Sequence, residues 1–365
     1  MTSQFKALNG LRFPACVLIF TQHLPPWSYP AGTWFADWAP RFMAQAHAAM
    51  PYFFVLSGFV LAHAYGGLLL PGRDVPPARA IQHILLRRAI RLFPLHWLGL
   101  LLILPLAVLT DAVAAPALLA HLTLTQALAL DPGSVYAFNW PSWSLSAELV
   151  FALLFPALLL TLAMASRRQG LLLLAGAMLA PLLAAIAVDQ LGRMGYLVLY
   201  INPFARLADF AAGILLYLLW RQFRWRCDGL AWELAPVALL MAAILGTADL
   251  AFPYRLVAFF LPVAVLFTLV FAAGDGPLRR TLSGPTALWL GRLAFAFYVV
   301  HFIVIRYVEL TPLARLAPDD GLRWFLIPLL FVLSLLAAIA IHHGFERQIE
   351  PRLRNRLTPK RSAVS

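Results

Sequence analysis

Long apolar stretches separated by short polar loops run through almost the whole sequence. A helix that spans a membrane needs about 20 mostly apolar residues, and ten stretches approach that length. The predicted spans lie near residues 11–24, 51–69, 92–109, 143–164, 171–188, 199–220, 230–245, 252–273, 288–309 and 322–341. The apolar stretch 116–130 is too short and too interrupted for a span, so we expect it to be re-entrant or interfacial. The pattern predicts an all-α integral membrane protein with about ten transmembrane helices.

The composition agrees with this interpretation. Hydrophobic residues make up 62% of the 365 residues and charged residues 12%, whereas about a quarter of a soluble domain is charged. We expect one membrane domain over residues 1–345 and a basic cytoplasmic tail over residues 346–365. The two cysteines, Cys16 and Cys227, lie in unlike surroundings and indicate neither a disulfide nor a metal site. We expect no metal and no permanently bound cofactor.

Basic residues predict the orientation, because loops kept in the cytoplasm accumulate lysine and arginine. If the chain starts inside, the cytoplasmic loops receive Arg73, Arg79, Arg87, Arg88, Arg91, Arg167, Arg168, Arg221, Arg224, Arg226, Arg279 and Arg280, together with the basic tail. An even number of spans with both termini in the cytoplasm fits this distribution. The net charge of +12 therefore indicates topology and attraction to anionic membrane lipids rather than nucleic-acid binding.

Arg12 and His23 are the sharpest functional candidates, because ionisable side chains inside a span are costly unless they are paired or hydrated. His23 lies eleven positions after Arg12, which on an α-helix is a rotation of about 20° beyond three full turns and a rise of about 16 Å. Both side chains should therefore share one helix face, with a cation for an anionic group at one end and a proton acceptor at the other. A snorkelling arginine and an interfacial histidine are the structural alternatives.

Four ordered motifs are similar to those of a known family. They are Leu11-Arg12 with ten residues before His23, Phe53-Phe54-Val55-Leu56-Ser57-Gly58-Phe59, Arg88-Ala89-Ile90-Arg91-Leu92-Phe93-Pro94, and Trp143-Ser144-Leu145-Ser146-Ala147-Glu148. Together they resemble the membrane acyltransferase-3 family, whose O-acyltransferases include O-acetyltransferases of surface polysaccharides. The likeness runs along most of the chain. It departs from the family pattern at Leu149 and Ala152, and in the single histidine at position 23.

The resemblance implies an acyl-CoA, most simply acetyl-CoA, as the donor substrate, and a location in the inner (plasma) membrane. Arg88 and Arg91 at the start of the third span, together with Arg12, are then expected to bind the donor phosphates, since a guanidinium fork matches phosphate oxygens. Alternatively, arginines such as Arg88 and Arg91 at the start of this span keep the adjacent loop in the cytoplasm.

His23, Glu148 and Arg12 are the expected catalytic residues. Glu148 lies one turn inside the predicted fourth span, at the depth expected for His23, where a carboxylate can orient an imidazole. Alternatively, the negative charge of Glu148 interacts favourably with the positive N-terminal end of the helix dipole. Trp143 and Ser144 are expected to contact the acceptor, although Trp143 also fits the aromatic belt of a membrane protein.

The predicted reaction is acyl transfer to a hydroxyl of an exopolysaccharide, an O-antigen or a lipid-linked glycan. His23 could deprotonate that hydroxyl or carry the acyl group itself, and the sequence leaves both routes open. A carrier or flippase for a glycan or lipid intermediate is the alternative function, and the oligomeric state is open.

Tyr298 with His301 is expected to be a core pair, and Arg206 with Asp209 an internal salt bridge.

Overall fold

The computed structural model describes residues 5–29, 45–70, 76–110, 114–188, 193–250, 254, 259–316 and 321–357. All regular structure in these ranges is helical. The α-helices are α1 (Lys6–Gly10), α2 (Arg12–Gln22), α3 (Ala49–Leu69), α4 (Pro77–Leu109), α5 (Ala115–Leu122), α6 (Pro132–Val135), α7 (Trp143–Ala163), α8 (Arg167–Ala187), α9 (Arg193–Tyr196), α10 (Leu207–Phe223), α11 (Leu230–Thr247), α12 (Phe260–Ala273), α13 (Pro277–Leu282), α14 (Pro285–Glu309), α15 (Arg323–Ile341) and α16 (Arg347–Leu357). Short 3-10 helices occupy Pro26–Ser28, Ala46–Ala48, Gln126–Leu128, Trp140–Ser142 and Pro312–Arg315, and π-helical turns occupy Leu197–Ile201 and His342–Glu346.

Seven helical segments in the described ranges are long and apolar enough to cross a membrane. They are Ala46–Leu69, Pro77–Leu109, Trp140–Ala163, Arg167–Ala187, Leu230–Thr247, Pro285–Glu309 and Arg323–Leu357. Each contains most or all of one of the predicted spans. The sequence-based prediction of an all-α membrane protein is thus confirmed for these seven.

The other three predicted spans are interrupted or shorter, so the expected count of ten is not reached by this measure. In the first, the chain breaks at Leu11 and α2 then begins at Arg12 with Pro14 in its first turn, where proline is tolerated. In the sixth, Pro203 follows the π-helical turn Leu197–Ile201, and α10 begins only at Leu207. In the eighth, the helix is α12, and residues 255–258 before it lie outside the described ranges.

Helix α14 lies at the centre of the bundle and packs against α1, α2, α4 and α15. It is the most deeply buried of the seven long helices. Phe297 anchors α2 to it, since its ring lies 5.3 Å from that of Phe13 and 5.9 Å from that of Phe20. The face of α2 that carries Phe13 and Phe20 is therefore held against α14, and the face of Arg12 and His23 lies beside it.

Helices α3 and α10 cross at two glycines whose backbones touch. A β-carbon at Gly58 would lie 2.1 Å from the carbonyl oxygen of Phe210, and one at Gly213 would lie 2.0 Å from that of Val55. Neither position has room for any side chain. Small residues let membrane helices approach in this way, so this crossing fixes α3 beside the helices that form the site.

Candidate active site

Three cavities follow one another along α2 and α14. The basic cavity has a volume of about 440 Å³ and is lined by Lys6, Asn9, Arg12, Arg91, Leu288, Gly291, Arg292, Phe295, His342, Glu346 and Glu350. The neck, of about 40 Å³, is lined by Arg12, Cys16, Met50, Phe53, Phe54, Ser144, Leu145, Glu148, Ala294, Phe295 and Tyr298. The aromatic cavity, of about 340 Å³, is lined by Ile19, Gln22, His23, Met50, Tyr136, Trp140, Pro141, Trp143, Tyr200 and Tyr298.

Shared lining residues make the three cavities neighbours. Arg12 and Phe295 line both the basic cavity and the neck, and Met50 and Tyr298 line both the neck and the aromatic cavity. Because α2 is continuous from Arg12 to its end beside His23, the helix spans all three over a rise of about 16 Å. The geometry agrees with the helix face that the sequence predicts for Arg12 and His23.

The basic cavity gathers four cations, Lys6, Arg12, Arg91 and Arg292. None of them forms an ion pair within the described ranges, and the buried Nε of Arg12 has no hydrogen-bond partner there. Two carboxylates also belong to the lining, Glu346 and Glu350. That of Glu346 is already engaged, since its Oε2 lies 2.7 Å from Nδ1 of His342. An excess of unpaired guanidinium groups around one cavity favours a multivalent anion such as a phosphate ester.

Arg88 lies apart from this cluster. Its Nη2 donates to Oγ of Ser57 at 3.0 Å, and its Nη1 donates to Oε2 of Glu148 at 3.4 Å. It does not belong to the lining of the basic cavity, whereas Arg91, one turn later on α4, does. Of the two arginines expected to bind the donor phosphates, Arg91 lines the basic cavity, whereas Arg88 bonds to a carboxylate at the neck.

His23 follows the last residue of α2 and faces the aromatic cavity. Its Nδ1 lies 2.9 Å from the carbonyl oxygen of Ile19 and 3.3 Å from Nε2 of His301. The expected partner, Glu148, lines the neck instead and bonds to Arg88. The prediction that Glu148 orients His23 is therefore corrected: the side chain beside the imidazole is His301, which is completely buried on α14.

Trp143 and Ser144, the expected acceptor contacts, separate at the start of α7. The buried ring of Trp143 lines the aromatic cavity and lies 5.1 Å from that of Tyr200. Ser144 lines the neck instead, where its Oγ lies 2.7 Å from the hydroxyl of Tyr298 and donates to the carbonyl oxygen of Pro141 at 3.1 Å. Ser144 thus holds Tyr298 in place at the boundary between neck and aromatic cavity.

Arg206 and Asp209 form the expected internal salt bridge, 2.5 Å long, with both side chains only 2% exposed. The guanidinium of Arg206 also lies 5.6 Å from the ring centres of Tyr200 and Phe54. The pair therefore supports two aromatic rings, one from the aromatic cavity and one from the neck.

Comparison of the sequence with those of known proteins identifies the family of this chain. The sequence profile described as "Acyltransferase domain" of the Acyl_transf_3 family matches residues 5–343. The chain belongs to the acyltransferase-3 family. The chain is 28% identical over 323 residues to "Acyltransferase MdmB" of Streptomyces mycarofaciens, covering 82% of this chain and 79% of that protein. It is also 37% identical over 99 residues to "Protein 2 in picA locus" of Rhizobium radiobacter, covering 27% of this chain and 44% of that protein. No solved structure matches the chain.

With its long apolar helices, the acyltransferase-3 chain is a multi-pass membrane acyltransferase.

Sequence reasoning missed Lys6, Arg292 and His342 in the basic cavity and the place of His301 beside His23. A signal for His301 existed, because it is an ionisable residue in the middle of a predicted span. Its partner could not be read from the sequence, since 278 positions separate the two histidines.

Proposed function

We propose that this acyltransferase moves an acyl group, most simply acetyl, from acyl-CoA on the cytoplasmic side of the inner (plasma) membrane to a carbohydrate hydroxyl on the other side. The acceptor would be an exopolysaccharide, an O-antigen or a lipid-linked glycan. The observation that carries the proposal is the row of three cavities, which joins a cluster of unpaired cations to a histidine among aromatic rings.

The donor would enter with its phosphates in the basic cavity. Lys6, Arg12, Arg91 and Arg292 supply the positive charge there, and arginine binds phosphate oxygens in a bidentate manner. Arg12 stands where the basic cavity meets the neck, so it marks the point at which the charged part of the donor ends. The uncharged pantetheine arm would pass the neck between Phe53 and Phe295 and bring the thioester to His23.

The acceptor would bind in the aromatic cavity, where Trp140, Trp143 and Tyr136 offer flat apolar surfaces. Such surfaces cover the apolar face of a sugar ring while Gln22 and the tyrosine hydroxyl groups bond its hydroxyls. His23 takes the proton of the acceptor hydroxyl as the oxygen attacks the thioester carbonyl carbon. The carbon–sulfur bond then breaks and the thiolate recovers the proton from His23. A transient acyl group on His23 is the second route.

The orientation follows from the positive charge around the basic cavity and in the loops at the same end. Arg221 and Arg224, at the end of α10, lie on the side where Trp220 meets Phe5. Loops rich in arginine stay in the cytoplasm, so we place the basic cavity and both termini there. Anionic membrane lipids would surround this end of the protein.

Purified protein in nanodiscs tests the proposal through acetyl-CoA binding and slow hydrolysis. We expect the wild type to bind acetyl-CoA and to release CoA, the Arg12→Ala variant to bind it at least tenfold more weakly, and the His23→Ala variant to bind it but not turn it over. Arg226→Ala is the matched control, because Arg226 is 78% exposed and paired with Asp228 away from the cavities. A folded wild type that neither binds acetyl-CoA nor releases CoA would contradict the proposal.

A further inference from the structure

His301 touches His23 through ring nitrogens alone, and both rings have well-defined surroundings. Nδ1 of His23 lies 2.9 Å from the carbonyl oxygen of Ile19, and Nδ1 of His301 lies 3.2 Å from that of Phe297. Nε2 of His301 lies 3.3 Å from Nδ1 of His23. Each histidine therefore faces a backbone carbonyl one helical turn earlier, and the two ring centres lie 5.2 Å apart with an angle of 56° between the rings.

These contacts determine where the protons are when both rings are neutral. A carbonyl oxygen only accepts hydrogen bonds, so the nitrogen facing it must carry the hydrogen. Nδ1–H of His301 then donates to Phe297, which leaves Nε2 of His301 bare. Nδ1–H of His23 donates to Ile19 and also points to that bare nitrogen. The remaining nitrogen, Nε2 of His23, has no hydrogen and is free to accept one from a hydroxyl.

The ring of His301 is held in this position by its neighbours. It stacks on Phe297 at 5.9 Å with an angle of 15° between the rings, and the edge of Phe20 lies 6.2 Å away. The side chain is completely buried. With its other ring nitrogen bound to a backbone carbonyl, His301 presents one acceptor atom to His23 and has no room to turn away.

We propose that His301 is the positioning residue for His23: it fixes the Nδ1–H form of the imidazole and accepts a stronger hydrogen bond once His23 becomes charged. The inference rests on the proposed function. The proton of the acceptor hydroxyl moves to Nε2 of His23, the oxygen bonds to the thioester carbon, and the thiolate leaves and takes that proton. Throughout, His301 keeps its own proton on Nδ1. A neutral imidazole thus performs the task that a carboxylate performs in a catalytic triad, without a second buried charge.

Two variants at position 301 separate positioning from packing. In His301→Gln the amide oxygen can replace Nε2 as acceptor, whereas His301→Leu fills the space without an acceptor. We expect His301→Leu to lower kcat for acyl transfer about 100-fold with KM for acetyl-CoA within a factor of two. His301→Gln should recover at least tenfold of that loss. His83→Gln, which lies on α4 outside the three cavities, is the control and should keep wild-type kcat.

The protonation state is measured independently of activity by 15N NMR of histidine-labelled protein at pH 8. We expect His23 of the wild type to carry its hydrogen on Nδ1, and the share of this form to fall in His301→Leu. A wild-type His23 protonated at Nε2 would overturn the inference whatever the activity. In an active enzyme, a His301→Leu variant with kcat within threefold of wild type would overturn it too. Absence of CoA release by the wild type would instead defeat the proposed function, and the NMR result would still decide on the histidine pair.

Discussion

Arg12 is partly buried, with its Nε fully enclosed, in a position where a cation would normally be costly. The carboxylate of Glu148 bonds to Arg88. Two further glutamates, Glu346 and Glu350, line the basic cavity, and Glu346 bonds to His342. Burying a charge without a partner costs free energy that a bound anion can recover. The pairing of Arg88 and Glu148 therefore leaves Arg12 without an ion-pair partner in the described ranges, as the proposed donor binding requires.

The variant Arg292→Ala tests whether the basic cavity binds the donor phosphates. Arg292 lines this cavity and is not among the residues expected from the sequence. Arg292→Ala should raise KM for acetyl-CoA by about tenfold, the effect of losing one charged hydrogen bond of about 1.4 kcal/mol. Since Arg292 lies at the end of the cavity row away from His23, kcat should change by less than threefold. Steady-state kinetics with varied acetyl-CoA measures both constants. A tenfold loss confined to kcat would argue against donor binding by Arg292.

His121, on α5 outside the long helices, makes the fold sensitive to acid. Burial lowers the pKa of His121 to about 4, although its Nε2 lies 2.9 Å from the carbonyl oxygen of Ser134. The unfolded chain binds a proton at this residue below about pH 6.5, and the folded chain does not until about pH 4. The folded state therefore loses up to about 3 kcal/mol as the pH falls through this window.

The melting temperature of the purified protein at pH 7 and pH 4.5 measures this loss. Replacing His121 with glutamine keeps a donor near Ser134 and removes the titrating group, so His121→Gln should show a smaller drop between the two pH values than wild type. His343→Gln is the control, because His343 is exposed and should leave the drop unchanged. An equal drop in His121→Gln and wild type would refute the assignment.

The relative positions of two residues could be predicted from the sequence where both belong to the same helical segment. Arg12 begins α2 and His23 directly follows its last residue, so their common face follows from helical spacing alone. The partners of Arg88 and His23 depend on how α3, α7 and α14 pack against their own helices. Spacing along one chain segment carries no information about such contacts, which is why the observed bond of Glu148 to Arg88 differs from the expected contact with His23.

The same limit applies to the helices. Seven spans could be predicted because their apolar stretches are long and contain no strong break. The first, sixth and eighth spans are predicted from hydrophobicity alone, which does not show that a turn at Leu11 separates α1 from α2 or that the helix is interrupted around Pro203. In a protein interior, neighbouring helices can satisfy the backbone groups that such breaks leave open. Shorter helices are thus tolerated beside the cavities, where they are shielded from lipid.

The crossing of α3 and α10 should depend on the absence of a side chain at Gly213. Gly213→Ala places a β-carbon against the carbonyl of Val55, so the helices must separate. We expect a loss of at least 1–3 kcal/mol, as for other overpacked sites, visible as a lower melting temperature and less protein in the membrane. Gly176→Ala on α8 is the control, since nothing lies within 4 Å of that position. Equal stability of the two variants would contradict the close crossing.

The row of cavities has a cluster of cations at one end and a histidine among aromatic rings at the other. Lys6, from the first helix, and Glu350, from the last, both line the basic cavity, so the described chain starts and ends on the same side of the bundle. Seven long helices alone would leave these two residues on opposite sides of a membrane, so we propose that the segments around α2, α10 and α12 supply the remaining crossing. His23 and the aromatic rings lie at the other end of the row of cavities from Lys6 and Glu350.

Cysteine labelling of sealed vesicles tests which end faces the cytoplasm. Both native cysteines are buried, so Arg226→Cys at the basic end and Arg315→Cys after α14 each provide one exposed thiol. A membrane-impermeant maleimide should label Arg315→Cys in right-side-out vesicles and Arg226→Cys only in inside-out vesicles, because arginine-rich loops stay in the cytoplasm. Labelling of both after permeabilisation is the control for reactivity. The reverse pattern would place the cation cluster away from the cytoplasmic acyl-CoA pool and would rule out the proposed direction of transfer.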